Sequence, residues 1–191
     1  MIEVAVALTV FALLVAMVAP MAGSWVANQQ IRGAAEALQT GLQRARMDAV
    51  RRNRNVRFSL VSLSDPALMD NSCALSGSSA SWVISVNDPA SKCGNGLSDT
   101  ADPMLIETHA AGPTAQRLAI SALQADDSTA ATSVVFDGYG RTVGADAIAR
   151  IDIDNNFSGN DFRRLRIVVA PGGSVRMCDP LVTEATDPRY C

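Results

Sequence analysis

The chain has one histidine, His109, and one lysine, Lys92, in 191 residues. A single imidazole cannot build a histidine metal cluster. No serine or aspartate stands at a spacing that would make His109 part of a nucleophilic triad, so it reads as a surface residue at a strand end. No nucleophile motif is present, and these absences together argue against an enzyme with a small-molecule substrate. The four cysteines, Cys73, Cys93, Cys178 and Cys191, include no CxxC pair, which excludes a zinc site of usual spacing. The glycines of FDGYGR lack the GxGxxG and GxxxxGKT frameworks, and no helix follows them, so no phosphate cradle is expected. Asp152, Asp154 and Asn156 have the spacing of the first EF-hand ligands. The motif then fails, with Phe157 at the glycine position and Arg163 at the final glutamate position. No cofactor and no metal are expected.

An excess of positive charge is also missing. The net charge is −3, unevenly spread. Residues 32–57 hold seven arginines against Glu36 and Asp48, a local +5, whereas the chain beyond Phe58 carries −7. That balance does not indicate a globally basic nucleic-acid binder. Fifteen arginines against one lysine suggest a GC-rich genome.

Charge is nearly absent from the first thirty residues, where Glu3 is the only charged side chain before Arg32. From Val4 to Ala22 the chain is apolar except for Thr9. Nineteen helical residues reach about 28 Å, close to the hydrocarbon thickness of a bilayer. Two features are unusual for a plain anchor. Glu3 places a carboxylate at the mouth of the run, where charge normally needs a partner. Pro20 is expected to kink the helix near its far end. A cleaved signal peptide does not fit, because there is no basic leading region and no clean small-residue site before the helix continues.

The helical pattern extends past the apolar run. Ile31, Ala35, Leu38, Leu42, Ala45 and Ala49 recur at the spacing of one helical face, and Arg44 and Arg51 fall opposite. One helix is therefore predicted from Ile2 to about Asn53, roughly 75–80 Å long. Its first half is apolar all round and its second half amphipathic. The remaining length allows a single domain of about 140 residues with a real core.

That domain reads as β-rich. VRFSLVSL alternates as a half-buried strand after Asn53 and Asn55 stop the helix. Residues 64–80 and 87–103 read as loops. SWVISV (81–86), with Trp82 and Ile84 on one face, and MLIETHA (104–110) read as strands. TSVVFDGYGRTV (132–143) reads as strand, turn, strand, with Gly138 and Gly140 supplying positive φ. Residues 147–162 alternate Ile148, Ile151 and Ile153 with polar residues, then turn. RRLRIVVAPGGSVRMC reads as two strands about a Pro-Gly-Gly turn. Four cysteines beyond a membrane-length helix point to two disulfides in an oxidising compartment, with four buried free thiols as the alternative. Three connectivities are possible. Loop length and Gly/Ser/Pro-rich surroundings favour Cys73–Cys93 and Cys178–Cys191.

The opening MIEVAVALTVFALLVAMVAP resembles the N-terminal segment of type IV pilins and type II secretion pseudopilins, whose mature chains begin Phe-Thr-Leu-Ile-Glu after a glycine. Here Ile2-Glu3 match, Met1 stands at the leucine, and Gly, Phe and Thr are missing. The start is expected to be placed too late or the chain trimmed, and as written it has no prepilin peptidase site. ARMDAVRRNRNVRF, WVISVNDPASKC, FDGYGR and PGGSVRMC, with the closing DPRYC, resemble the GspH/FimT family of minor pilins and pseudopilins, in the expected order.

The resemblance implies an α+β, pilin-like ladle: a long N-terminal helix with a C-terminal antiparallel β-sheet head. Residues 1–30 would be the transmembrane and assembly half of the helix, 31–55 the half packing on the head, and 56–191 the disulfide-bonded periplasmic head. It implies a FimT/FimU-like minor pilin of a type IV pilus, single-pass in the bacterial inner membrane, whose partners are other major and minor pilins or pseudopilins. Glu3 would pair with a neighbour's N-terminal amine, and Pro20 would let the helix bend in the packed core. A GspH-like minor pseudopilin of a type II secretion system is the alternative. A third reading is a DNA-binding subunit for DNA uptake. Some FimT-type members bind DNA through Gly-Arg-x-Arg, and this chain has Gly173-Ser174-Val175-Arg176, with serine at the first arginine. Arg163, Arg164 and Arg166 on the preceding strand, with Arg176, are the candidate contacts.

Overall fold

The structure, a computed structural model, describes residues 2–156 and 162–191; within the first helix the side chains of residues 15–22 lie outside the description. Helix α1 spans Ile2–Arg52. Its buried stripe consists of Ile31, Ala35, Leu38, Leu42, Ala45 and Ala49, all fully buried, which are the six positions picked out by the sequence period. Asn53 ends the helix in the left-handed region, at φ 48, a conformation its short polar side chain tolerates. The amide N–H groups of Asn53 and Arg54 close the last turn onto the Val50 and Ala49 carbonyls.

Among the described residues, ten strands follow in two antiparallel sheets. The first holds β1 (Val56–Ser62), β2 (Ala74–Leu75), β3 (Trp82–Ser85), β4 (Leu105–His109), β6 (Ser133–Phe136) and β7 (Thr142–Val143). Its order is β4-β3-β1-β6-β7, with β2 paired to β1. The second is β10 (Val175–Cys178), β9 (Leu165–Val169), β8 (Arg150–Asn155) and β5 (Leu118–Leu123), in that order. The helix stripe packs on both. Phe58, Trp82, Ile84 and Phe136 meet it from the first sheet, and Ile151, Ile153, Ile167 and Val169 from the second, in one continuous core. This is the pilin-like α+β arrangement of a long helix on antiparallel sheets.

Both faces of β3 are covered. Trp82 and Ile84 face the helix, while Val83 joins Val61, Leu105 and the Cys73 and Cys93 sulfurs in a smaller apolar cluster behind the sheet. The disulfide loops thus form a back wall for the first sheet.

Three readings need correction. The 64–80 loop carries the short strand β2, held on β1 by the register Val61↔Leu75 and Ser62↔Ala74. Gly140 has positive φ, at 76°, but Gly138 does not. Gly138 is needed for space, because a Cβ there would lie 2.6 Å from Asn53 Oδ1. His109 does end β4, but it is half-buried, with its ring stacked 5.2 Å from that of Trp82. Strand β5, Leu118–Leu123, pairs along its whole length with β8 and lies in a stretch to which no element was assigned from sequence.

Candidate assembly and nucleic-acid surfaces

The N-terminal half of α1 stands away from the head. Ile2, Val4, Val6, Leu8, Val10, Phe11, Leu13 and Leu14 are all more than half exposed, from 52% at Val10 to 80% at Ile2. Thr9, the polar interruption, donates its hydroxyl to the Val6 carbonyl at 2.8 Å, a bond that removes its need for water. Glu3 lies in the first turn and is exposed. Pro20 falls within the span of α1, but its side chain, with the others of 15–22, lies outside the described residues. Among the described residues, no helix is long and apolar enough to cross a membrane.

At the arginine-rich end of α1, Arg44 and Arg51 lie exposed on the solvent side of the helix, at 57% and 70%, and still find carboxylate partners. Arg44 pairs with Glu107 on β4 at 2.7 Å. Arg51 and Arg52 both reach Asp48, and Arg52 also reaches Asp99, whose carboxyl that guanidinium holds below its usual range. Arg57 donates to Ser133 Oγ across the β1–β6 pair. Arg46 Nε donates to the Gly140 carbonyl at 3.0 Å, tying the helix to the β6–β7 turn. In that turn the Arg141 backbone N–H and guanidinium hold the Asp137 carboxyl below its usual range. Arg44, Arg46 and Arg52 thus fasten the helix to the head.

The candidate DNA contacts lie at the second sheet. The register places Arg166 opposite Asp152 and Arg176 opposite Val168, which is opposite Arg150, so these side chains share the face away from the helix. Each is already engaged. Arg166 pairs with Asp152 at 2.6 Å and Arg164 with Asp154 at 2.7 Å. Arg150 pairs with Asp152 and Asp127. Arg176 is exposed and donates to the Cys191 main-chain oxygen at 2.7 Å. Arg163 is exposed, and its amide N–H donates to Asn28 Oδ1 at 2.8 Å. The aspartates with partial EF-hand spacing are thus counter-ions in a cross-strand ladder. Among the described residues no cluster of acids, cysteines and histidines could hold a metal.

A ladder of matched charges is a poor phosphate surface, because each phosphate contact would first have to displace a carboxylate. The isolated protein at roughly physiological salt should give no gel shift of duplex DNA at sub-micromolar concentration. Tight binding that weakens in Arg176→Ala would contradict this.

In the structure Cys73 is bonded to Cys93 and Cys178 to Cys191. Mass spectrometry of the non-reduced protein should recover those two linked peptide pairs. Replacing Cys73 and Cys93 together by serine should lower stability by about 3 kcal/mol, from loop closure alone. Crossed pairs or free thiols in the protein expressed in an oxidising compartment would rule out this connectivity.

Comparison with known proteins gives three results. Crystal structures of the type IV minor pilin FimU of Pseudomonas aeruginosa (strain PAO1) are similar. One shares 18% identity, covers 78% of this chain and 88% of that one, and has a TM-score of 0.46. A second crystal form gives 19%, 76%, 90% and 0.45. No curated protein matches. The model of the family described as Type II transport protein GspH matches residues 34–173, well over half of the chain, and the chain belongs to that family.

Proposed function

We propose that the protein is a minor pilin that assembles into, or primes, a type IV pilus through its N-terminal helix. The observation that carries this reading is the bare apolar half of α1, with side chains 52–80% exposed on a helix whose other half is the spine of a folded head. Water is a costly solvent for such a surface, at about 25 cal/mol for each Å² of apolar area. It is at rest only in a bilayer or against other apolar helices. The sequence supplies both settings in turn. The apolar half parks the subunit in the inner membrane with the head in the periplasm, then slides laterally into a bundle of like helices. Glu3 marks the register, since in that bundle its carboxylate needs a cation, and a neighbour's terminal amine provides one. The head makes no chemistry; it is the part displayed on the fibre or at its tip.

A second reading, a minor pseudopilin of a type II secretion system, is supported by the description of the family model. The physical chemistry is shared and the machine differs. Deleting the gene and measuring both outputs separates them. The pilus reading expects loss of surface fibres with secretion of folded exoproteins intact, and the protein itself in sheared fibre fractions. Normal fibres with failed secretion would transfer the protein to the other machine.

A further inference from the structure

At the base of the head, where α1 leaves it, three observations coincide. The first is apolar exposure. Trp25 is 64% and Val26 43% exposed, although the apolar run has ended at Ala22, three residues or about 4.5 Å earlier along the axis. The second is shape. Val26 and Ala27 of the helix, Arg117 and the half-buried Phe162 line an open cavity of about 540 Å³ between helix and head. The third is charge. Arg117 and Arg163 are exposed, and neither makes an ion pair among the described residues. Their neighbour Arg164 is paired with Asp154. Two cations with no ion pair among the described residues therefore sit at one end of a domain whose overall charge is −7 beyond Phe58. Arg163 is also fixed at that height, since its amide is bonded to Asn28 one turn above Trp25.

The geometry points to a collar at the base of the head, formed by Trp25, Val26, Phe162, Arg117 and Arg163, that docks on an anionic phospholipid surface. Tryptophan beside an apolar helical run is the side chain of the membrane–water interface, apolar in its body and hydrogen-bonding at its edge. Arginines at the same height match phosphate oxygens bidentately. A neighbouring copy of the helix is a poorer occupant. It offers no free acid at this level: Glu3 lies 22 residues, about 33 Å, from Trp25 in one direction, and Glu36, 11 residues or about 17 Å away in the other, is already paired with Arg32. The collar fixes how the head stands on the membrane before assembly, and leaving that membrane means giving up those phosphate contacts.

This inference rests on the anchoring of the helix, and the test separates the two. The full chain is reconstituted in vesicles of phosphatidylcholine alone and of phosphatidylcholine with about one third phosphatidylglycerol, and flotation and amide hydrogen exchange are measured. Flotation with both lipids is expected from the helix. Slowed exchange at residues 114–117 and 162–164 is expected only with phosphatidylglycerol. It should disappear near 1 M salt, where the screening length is about 3 Å. The double variant Arg117→Gln/Arg163→Gln should float normally and lose the protection, by about five-fold for each arginine. Flotation with equal exchange in the two lipids, or protection unchanged in the double variant, overturns the collar and leaves the anchor. No flotation in either lipid overturns both.

Discussion

Gly173→Ala is expected to cost more than about 4 kcal/mol or to prevent folding, whereas Gly172→Ala, one residue earlier, is expected to stay within about 1 kcal/mol of the parent. The two glycines look alike in the string PGGSVR. Gly172 has open space where a Cβ would go. Gly173 has φ 77°, and its Cβ would lie 1.7 Å from the Gly140 carbonyl oxygen. The left-handed backbone alone costs an alanine about 1–2 kcal/mol. The overlap cannot be relieved by a rotamer, since the obstructing atom is backbone. Nor can the carbonyl turn aside cheaply, because it accepts the bond from Arg46 Nε. Movement there would cost the helix one of its ties to the head and disturb Thr142, whose amide and hydroxyl both donate to Pro171. Urea denaturation of the two purified variants measures the difference. Equal, small losses would show that the two turns are free to separate.

Glu3→Ala is expected to leave the protein in the membrane and remove it from fibres. The substitution makes the N-terminal half of α1 more apolar, so partition into lipid is not impaired. On the assembly role proposed above, what is lost is the one charge of this half-helix that sets the stagger against a neighbour. In a helical bundle of low dielectric, leaving one member of such a pair unmatched costs about 3–5 kcal/mol, a factor of hundreds or more in subunit occupancy. Immunoblots of membrane and sheared-fibre fractions should show the variant at parental abundance in the first and absent from the second. Parental recovery in the fibre would show that helix packing alone sets the register. Glu3→Gln sharpens the comparison, since it keeps shape and hydrogen bonding and removes only charge.

What could be read without coordinates was governed by periodicity. The six buried positions from Ile31 to Ala49 follow a 3.6-residue period, and they are the helix face that packs. The strands around Val134, Ile151 and Ile167 alternate between buried and half-buried positions, whereas those around Phe58 and Ile84 are buried on both faces; all five lie in the two sheets. Strand β5 escaped because LAISAL fills two of its six positions with alanine and one with serine, which leaves little hydrophobic contrast between faces. Strand β2 is two residues long and exists only through its register on β1. The surfaces were less legible, for a different reason. Asp152 and Asp154 have part of a calcium-loop spacing, and Arg164 and Arg166 are candidate DNA contacts, yet the two sets pair with each other across β8 and β9. Such pairing depends on strand register, which a local motif does not contain. The same holds for Gly173, whose constraint is an atom 33 residues away in sequence.

The ties between helix and head bear on how a fibre carries load. Asn28 accepts the Arg163 amide near one end of the packed half of α1, and Arg46 donates to Gly140 near the other. They lie 18 residues, about 27 Å, apart along the axis. Tension on a filament built from such helices pulls each one lengthwise past its own head. That motion is shear, in which both ties and the buried stripe between them are strained together, and no single bond can be peeled open first. In the fibre proposed above, such a subunit would resist having its head dragged from its stem along its full length, while still yielding to a sideways pull at either end.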